Sequence, residues 1–189
     1  MKIIPRLLAV MLSLAGVLTG CQSPKAGSPT RSNVEQSTRN NCYSLLHQLL
    51  EEEKDVSLLR FIKREQVDVK ILINKIAANS AAGAKLLEEL AAHDPSIHLD
   101  DIRLPPGETA TRKAIATTRR KELLGQRGDE FELTLLLTQS AALSYAWHLA
   151  KVAGENETQP DRARALSGVS KDMENLYHEV FVMLLSKTK

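Results

Sequence analysis

The chain has 189 residues, with 25 Lys or Arg against 23 Asp or Glu and a formal net charge of +2. That balance gives no electrostatic case for nucleic acid. One Trp, three Tyr and three Phe are too few for base-stacking platforms or an aromatic carbohydrate cleft.

Residues 1–20 open with Lys2 and Arg6 and continue in an apolar run from Leu7 to Leu18. A basic start followed by a short apolar stretch is the pattern of a secretory signal. The run is too short to span a bilayer, which takes about 20 apolar residues. No Ala-x-Ala-like site precedes Cys21, so an ordinary cleavable signal fits poorly. Leu18-Thr19-Gly20-Cys21 resembles the lipobox of bacterial lipoproteins. The resemblance implies cleavage before Cys21, lipid on its thiol and new amino group, and a mature protein held at a membrane by acyl chains. Several chains together anchor stably, since each buried methylene contributes about 0.8 kcal/mol. In such lipoproteins an aspartate after the cysteine favours inner-membrane retention. Gln22 and Ser23 therefore imply an outer-membrane, periplasm-facing protein.

Loss of Lys2 and Arg6 with the signal leaves acidic and basic residues in equal number. Roughly 170 residues then suit one domain with a single core. Residues 21–39 are rich in Ser, Pro, Gly, Thr and Asn and nearly free of apolar side chains, which predicts a disordered tether. The folded domain is expected over residues 40–189. Cys42 is the one cysteine left after Cys21, so no internal disulfide and no cysteine metal set can form. Its thiol is expected either buried or bridged to another chain.

Tyr43, Leu46, Leu49 and Leu50 follow helical spacing in a first, shorter helix that ends near Glu51-Glu52-Glu53-Lys54. Asp55 or Ser57 is expected to cap the next helix. That helix carries Leu58, Leu59, Phe61 and Ile62 and continues through Val69, Leu72, Ile73, Ile76 and Leu87. Gly83 among alanines marks either a close backbone approach or a weakly packed stretch. Asp94-Pro95 stops the helix, and His98 to Gly107 reads as a loop. Helix resumes through Ile115, Leu123 and Leu124 and ends at Gly125 and Gly128. Asp129-x-x-Glu132 resembles a capping box and opens the clearest helix. Its expected core face is Phe131, Leu135, Thr138, Ala142, Tyr145 and Leu149, broadened by Leu136, Leu143 and Ala146. Pro160 fits the first position of a last helix carrying Leu166, Val169, Met173, Leu176 and Val180. No strand or hairpin signal occurs. The fold class is therefore all-α, an antiparallel bundle of about four main helices plus the shorter N-terminal one.

Enzyme motifs are missing. There is no Gly-x-Ser-x-Gly elbow, and Gly125-Gln126-Arg127-Gly128 is too short for a phosphate loop. Helix bundles that hold two irons use Glu-x-x-His pairs. The residues three before His47, His93, His98, His148 and His178 are Ser44, Leu90, Pro95, Tyr145 and Asn175, none of them acidic. Glu174 precedes His178 by four residues, so a mixed metal site from His148, Glu174 and His178 stands as the candidate, against the simpler reading of a solvated face. Arg112, Arg119 and Arg120 share one side of a helix and form a candidate interaction stripe for an acidic partner, lipid headgroups or cell-wall polymer. The segment from Phe131 to Ala150, with Gln139, Tyr145, Trp147 and His148, resembles the second half of a family of exported, ferritin-like helical proteins of unknown function. That resemblance implies a bundle, with His148 and His178 on its last two helices and His93 as a displaced counterpart of a first-half histidine.

The sequence thus points to a lipid-anchored accessory or adaptor protein without enzyme activity or cofactor. It is expected to bind a protein partner through its helical surface and to bind no nucleic acid. The alternatives are a metal- or small-ligand-binding bundle and a protein contacting the cell wall.

Overall fold

The structure, a computed structural model, describes residues 31–57 and 66–187, with side chains from residue 33 onward. Cys21, the signal segment and most of the expected tether lie outside the described residues, as do Leu58, Leu59, Phe61 and Ile62. Among the described residues there are five helices: α1 (Arg31–Lys54), α2 (Val67–His93), α3 (Pro106–Gly125), α4 (Gly128–Glu155) and α5 (Pro160–Lys187). Among the described residues there is no strand, so the all-α bundle is the fold.

Four helices, α1, α2, α5 and α4, form a ring in which neighbours run antiparallel. The register is visible in cross-helix pairs. Leu50 on α1 lies against Gly83 on α2, and Lys75 and Asp68 on α2 pair with Glu179 and Lys187 on α5. Glu157 just after α4 meets Arg39 and Tyr43 on α1. Along α1–α2–α4–α5 the directions therefore read down, up, up, down. The chain must return the length of the bundle between α2 and α4, and α3 makes that return along the outside of α4. A 20-residue helix is about 30 Å long, enough for the crossing.

This topology exchanges two expected roles. The accessory helix is α3, whose one buried residue is Leu123, while the 24-residue α1 is a full member of the bundle. Residues 31–39, expected in the tether, belong to α1. Apolar periodicity misses them because polar contacts hold this turn in place. Arg39 is buried against Glu157 and Ser96, and Asn40 donates to the Ser96 carbonyl at 3.0 Å.

Core packing follows the apolar stripes. Tyr43, Leu46 and Leu50 meet Ile73, Ile76 and Leu87 from α2, Leu135, Leu136 and Leu143 from α4, and Leu166 and Met173 from α5, all buried. Cys42 is a buried free thiol in this core, pushed above its ordinary pKa by desolvation. Gly83 admits a side chain rather than a backbone: an added Cβ would lie 2.9 Å from Leu50 Cδ1. On α4 the buried stripe is Phe131, Leu135, Leu136, Gln139, Leu143, Ala146 and Ala150. Thr138, Ala142 and Tyr145, expected in the core, are half-buried instead. Thr138 and Tyr145 face α3.

Helix ends match their punctuation with two exceptions, the first being α2, which begins at Val67 after an extended Gln66 with no side-chain cap, so that neither Asp55 nor Ser57 caps it. α2 stops at His93 before Asp94-Pro95, α3 begins at Pro106 within the expected loop, and α5 begins at Pro160. The turn into α4 passes through Gly128 at φ 56°, a conformation glycine adopts without steric cost. The capping box is absent. α4 begins after Arg127 with no side-chain cap, and Glu132 is buried, reaching across the bundle instead.

Candidate docking groove

The lower end of the bundle, where α2 begins and α4 begins and α5 ends, is tied by one carboxylate. Glu132 accepts from Lys187 Nζ at 2.7 Å and from the backbone N–H of Gln66. Lys187 also donates to Gln66 Oε1 at 3.0 Å. A charge left alone at this depth would be costly, and the ammonium compensates it. The clamp fixes the entry of α2 against the exit of α5.

Above the clamp, α2 and α5 meet less closely than the other ring neighbours and leave an open groove of about 630 Å³. Its apolar floor is Leu72 and Met183, with Ile71 and Val182 on the two walls. Ile71 is 63 % exposed, Val182 66 %, and Val67, one turn before Ile71, 74 %. Three β-branched apolar residues this exposed on adjacent helices form a patch rather than scattered surface residues. Asp68, the Lys75–Glu179 ion pair and His178 place mixed charge along the rim. Beside the α5 wall runs an aromatic ladder. Trp147 lies 4.4 Å from His148 and 6.1 Å from Tyr177 between ring centroids, and Tyr177 stacks on the exposed Phe181 at 6.4 Å.

The histidine set expected from sequence does not assemble. His148 and His178 are both exposed, and each ring lies against Trp147. His148 Nδ1 is engaged with the Ser144 carbonyl at 2.7 Å. Their ligand atoms do not converge with those of Glu174. Among the described residues, the one group of metal-ligating side chains that does converge is His47, Glu51 and Glu88. This group was not singled out from sequence: Glu51 stood within an acidic run, and Glu88 comes alongside only through the packing of α2 on α1.

The arginine stripe is also divided. Arg112 donates to Glu108 at 2.7 Å and to Tyr145 Oη at 2.8 Å, with its guanidinium 4.8 Å from the Tyr145 ring centroid. Arg119 reaches Thr138 Oγ1 at 3.4 Å. Both are half-buried fasteners of α3 on α4, and Arg120 alone stands exposed.

At the opposite end of the bundle, the side chain of Glu157 is fully buried and accepts from Arg162 at 2.8 Å and Tyr43 Oη at 3.0 Å. Burial disfavours its charge. The hydrogen bonds from Arg162, the Gln159 and Thr158 backbone and Tyr43 outweigh that and hold it below the ordinary value. Asp94 is held at about 2 by the Ser96 side chain and backbone N–H, with Arg162 adding to the effect. A second recess here, of about 400 Å³, is walled by Arg162, which is already committed to these two carboxylates.

No family model, curated protein or solved structure matches the chain.

Proposed function

We propose that this chain is a lipid-anchored adaptor of the bacterial envelope, and that the α2–α5 groove receives an amphipathic helix from a protein partner. The observation that carries this reading is the groove itself. Its apolar floor and exposed Ile71 and Val182 walls, extended one turn along α2 by exposed Val67, offer a strip that an apolar helix face fills, and its mixed-charge rim suits the polar edges of such a helix. The clamp at Glu132 keeps both walls in fixed relation, so little ordering entropy is lost on binding.

The Leu18-Thr19-Gly20-Cys21 lipobox supplies the anchor, with acyl chains on Cys21 and the domain facing the periplasm from the outer membrane. The groove lies at the end of the bundle away from Arg31. α1 alone sets about 36 Å between these ends, which favours a protein partner over the anchoring bilayer as the groove's occupant. The adaptor acts without a catalytic step or cofactor.

Ile71→Glu combined with Val182→Glu tests the reading in cells carrying the lipidated chain. The pair should leave thermal unfolding nearly unchanged, because both side chains are exposed, and abolish capture of the partner. Capture at wild-type level would rule the groove out. Capture of the same chain would make a second copy the occupant. Cys21→Ser should remove both lipid labelling and membrane fractionation, and persistence of the lipid label would overturn the anchor.

A further inference from the structure

His47 and Glu51 lie four residues apart on α1, so both project from one face a single turn apart. Glu88 projects toward them from α2. One ligand atom from each of the three lies within 4.8 Å of the others, and His47 Nε2 stands 3.3 Å from Glu88 Oε1. Zinc binds imidazole nitrogen and carboxylate oxygen at about 2.0–2.2 Å, so two ligands on a tetrahedron stand roughly 3.3–3.5 Å apart. The His47–Glu88 pair already has that separation. The cluster is half-buried at His47 and Glu51 and open to solvent at Glu88, which leaves one side for water.

We infer that His47, Glu51 and Glu88 form a binding site for one divalent cation of the zinc type, held by one imidazole and two carboxylates across α1 and α2. The mixed nitrogen–oxygen set selects a borderline first-row ion over calcium, which takes six to eight oxygens. Lys54 is the built-in competitor. Its ammonium rests on both oxygens of Glu51, at 2.6 and 2.8 Å, and a cation must displace it from at least one. Two carboxylates face a single ammonium here, so a divalent ion is electrostatically favoured. Bound in this way, the ion links α1 to α2. The site is independent of the groove and of the anchor.

Calorimetric titration of the full chain in detergent with zinc chloride, after chelator treatment, tests the inference. One equivalent should bind. His47→Ala and Glu88→Gln should each weaken binding by roughly tenfold or more. Lys54→Met should tighten it by freeing Glu51, an effect that general surface adsorption would not give. The His148→Ala/His178→Ala double variant should bind as the unaltered chain does. Because Glu88 is exposed, Glu88→Gln reads the site even if His47→Ala disturbs packing. No binding at about 100 µM zinc, or equal binding by Glu88→Gln, would overturn the inference.

Discussion

Glu53 shows how a single side chain in this bundle couples to solution conditions. Its stem reaches the surface of α1, while its carboxylate end is buried near Gln139, with Oε2 lacking a hydrogen-bond partner. Burial pushes its pKa up to about 7, Gln139 partly opposes this, and Glu52 adds to it. The folded state therefore holds this proton more tightly than the unfolded chain does. The stability conferred by the neutral acid is complete below about 4.5 and is lost as pH rises through 7. Glu53→Gln, which is neutral throughout, should raise the melting temperature relative to the unaltered chain at about pH 8 and change it little at about pH 4. Paired thermal melts at both values check this, and an equal shift at both would contradict it. Asp94 works in the opposite sense. Held at about 2, it contributes stability that is present above its ordinary value and lost as pH falls through 2. Nothing in sequence marked Glu53 apart from Glu51 and Glu52. Three adjacent acids on a helix point in three directions, and only the packed bundle decides which one is buried.

Helix positions were largely legible because punctuation and apolar period agree. Pro160 and Asp94-Pro95 set boundaries by removing donors and helical geometry, and these lie where the structure has them. Misreadings arose where a polar contact did the work of an apolar one. The first turns of α1 carry few apolar residues and are held by Arg39 and Asn40, so composition made them look like tether. Glu132 had the spacing of a capping box but spans to α2 and α5 instead. The arginines of α3 read as a binding stripe, yet Arg112 and Arg119 hold α3 to α4. This fastening makes α3 separable from the rest. Arg112→Ala removes a hydrogen bond and a cation–π contact with Tyr145, together worth about 1–2 kcal/mol. Hydrogen exchange should then quicken in residues 106–125 with little change in the cores of α4 and α5. Uniform loss of protection through the molecule would show α3 to be integral to the cooperative unit.

Taken together, the bundle has two ends of different character. At the α1 entrance, Glu157, Arg162, Asp94 and Tyr43 close the structure with a buried polar network. At the far end, Glu132 and Lys187 brace a groove whose apolar walls stay open to solvent. The groove was hidden from sequence because Ile71 and Val182 occupy the outer edges of stripes whose inner members, Leu72 and Val180, enter the core. Only the spacing of α2 and α5 leaves those edges unpaired. The sequence exposed the proposed anchor instead, since a lipobox is local and needs no fold to be read. The adaptor account turns on what fills the groove. The most direct measurement places a photo-reactive amino acid at Ile71 or Val182 of the lipidated chain in living cells and identifies the crosslinked peptides by mass spectrometry. The account predicts one recurrent partner protein, crosslinked through an amphipathic helix from these positions and not from Arg120 on α3. Crosslinks of equal yield from all three positions, or none from the groove, would contradict it.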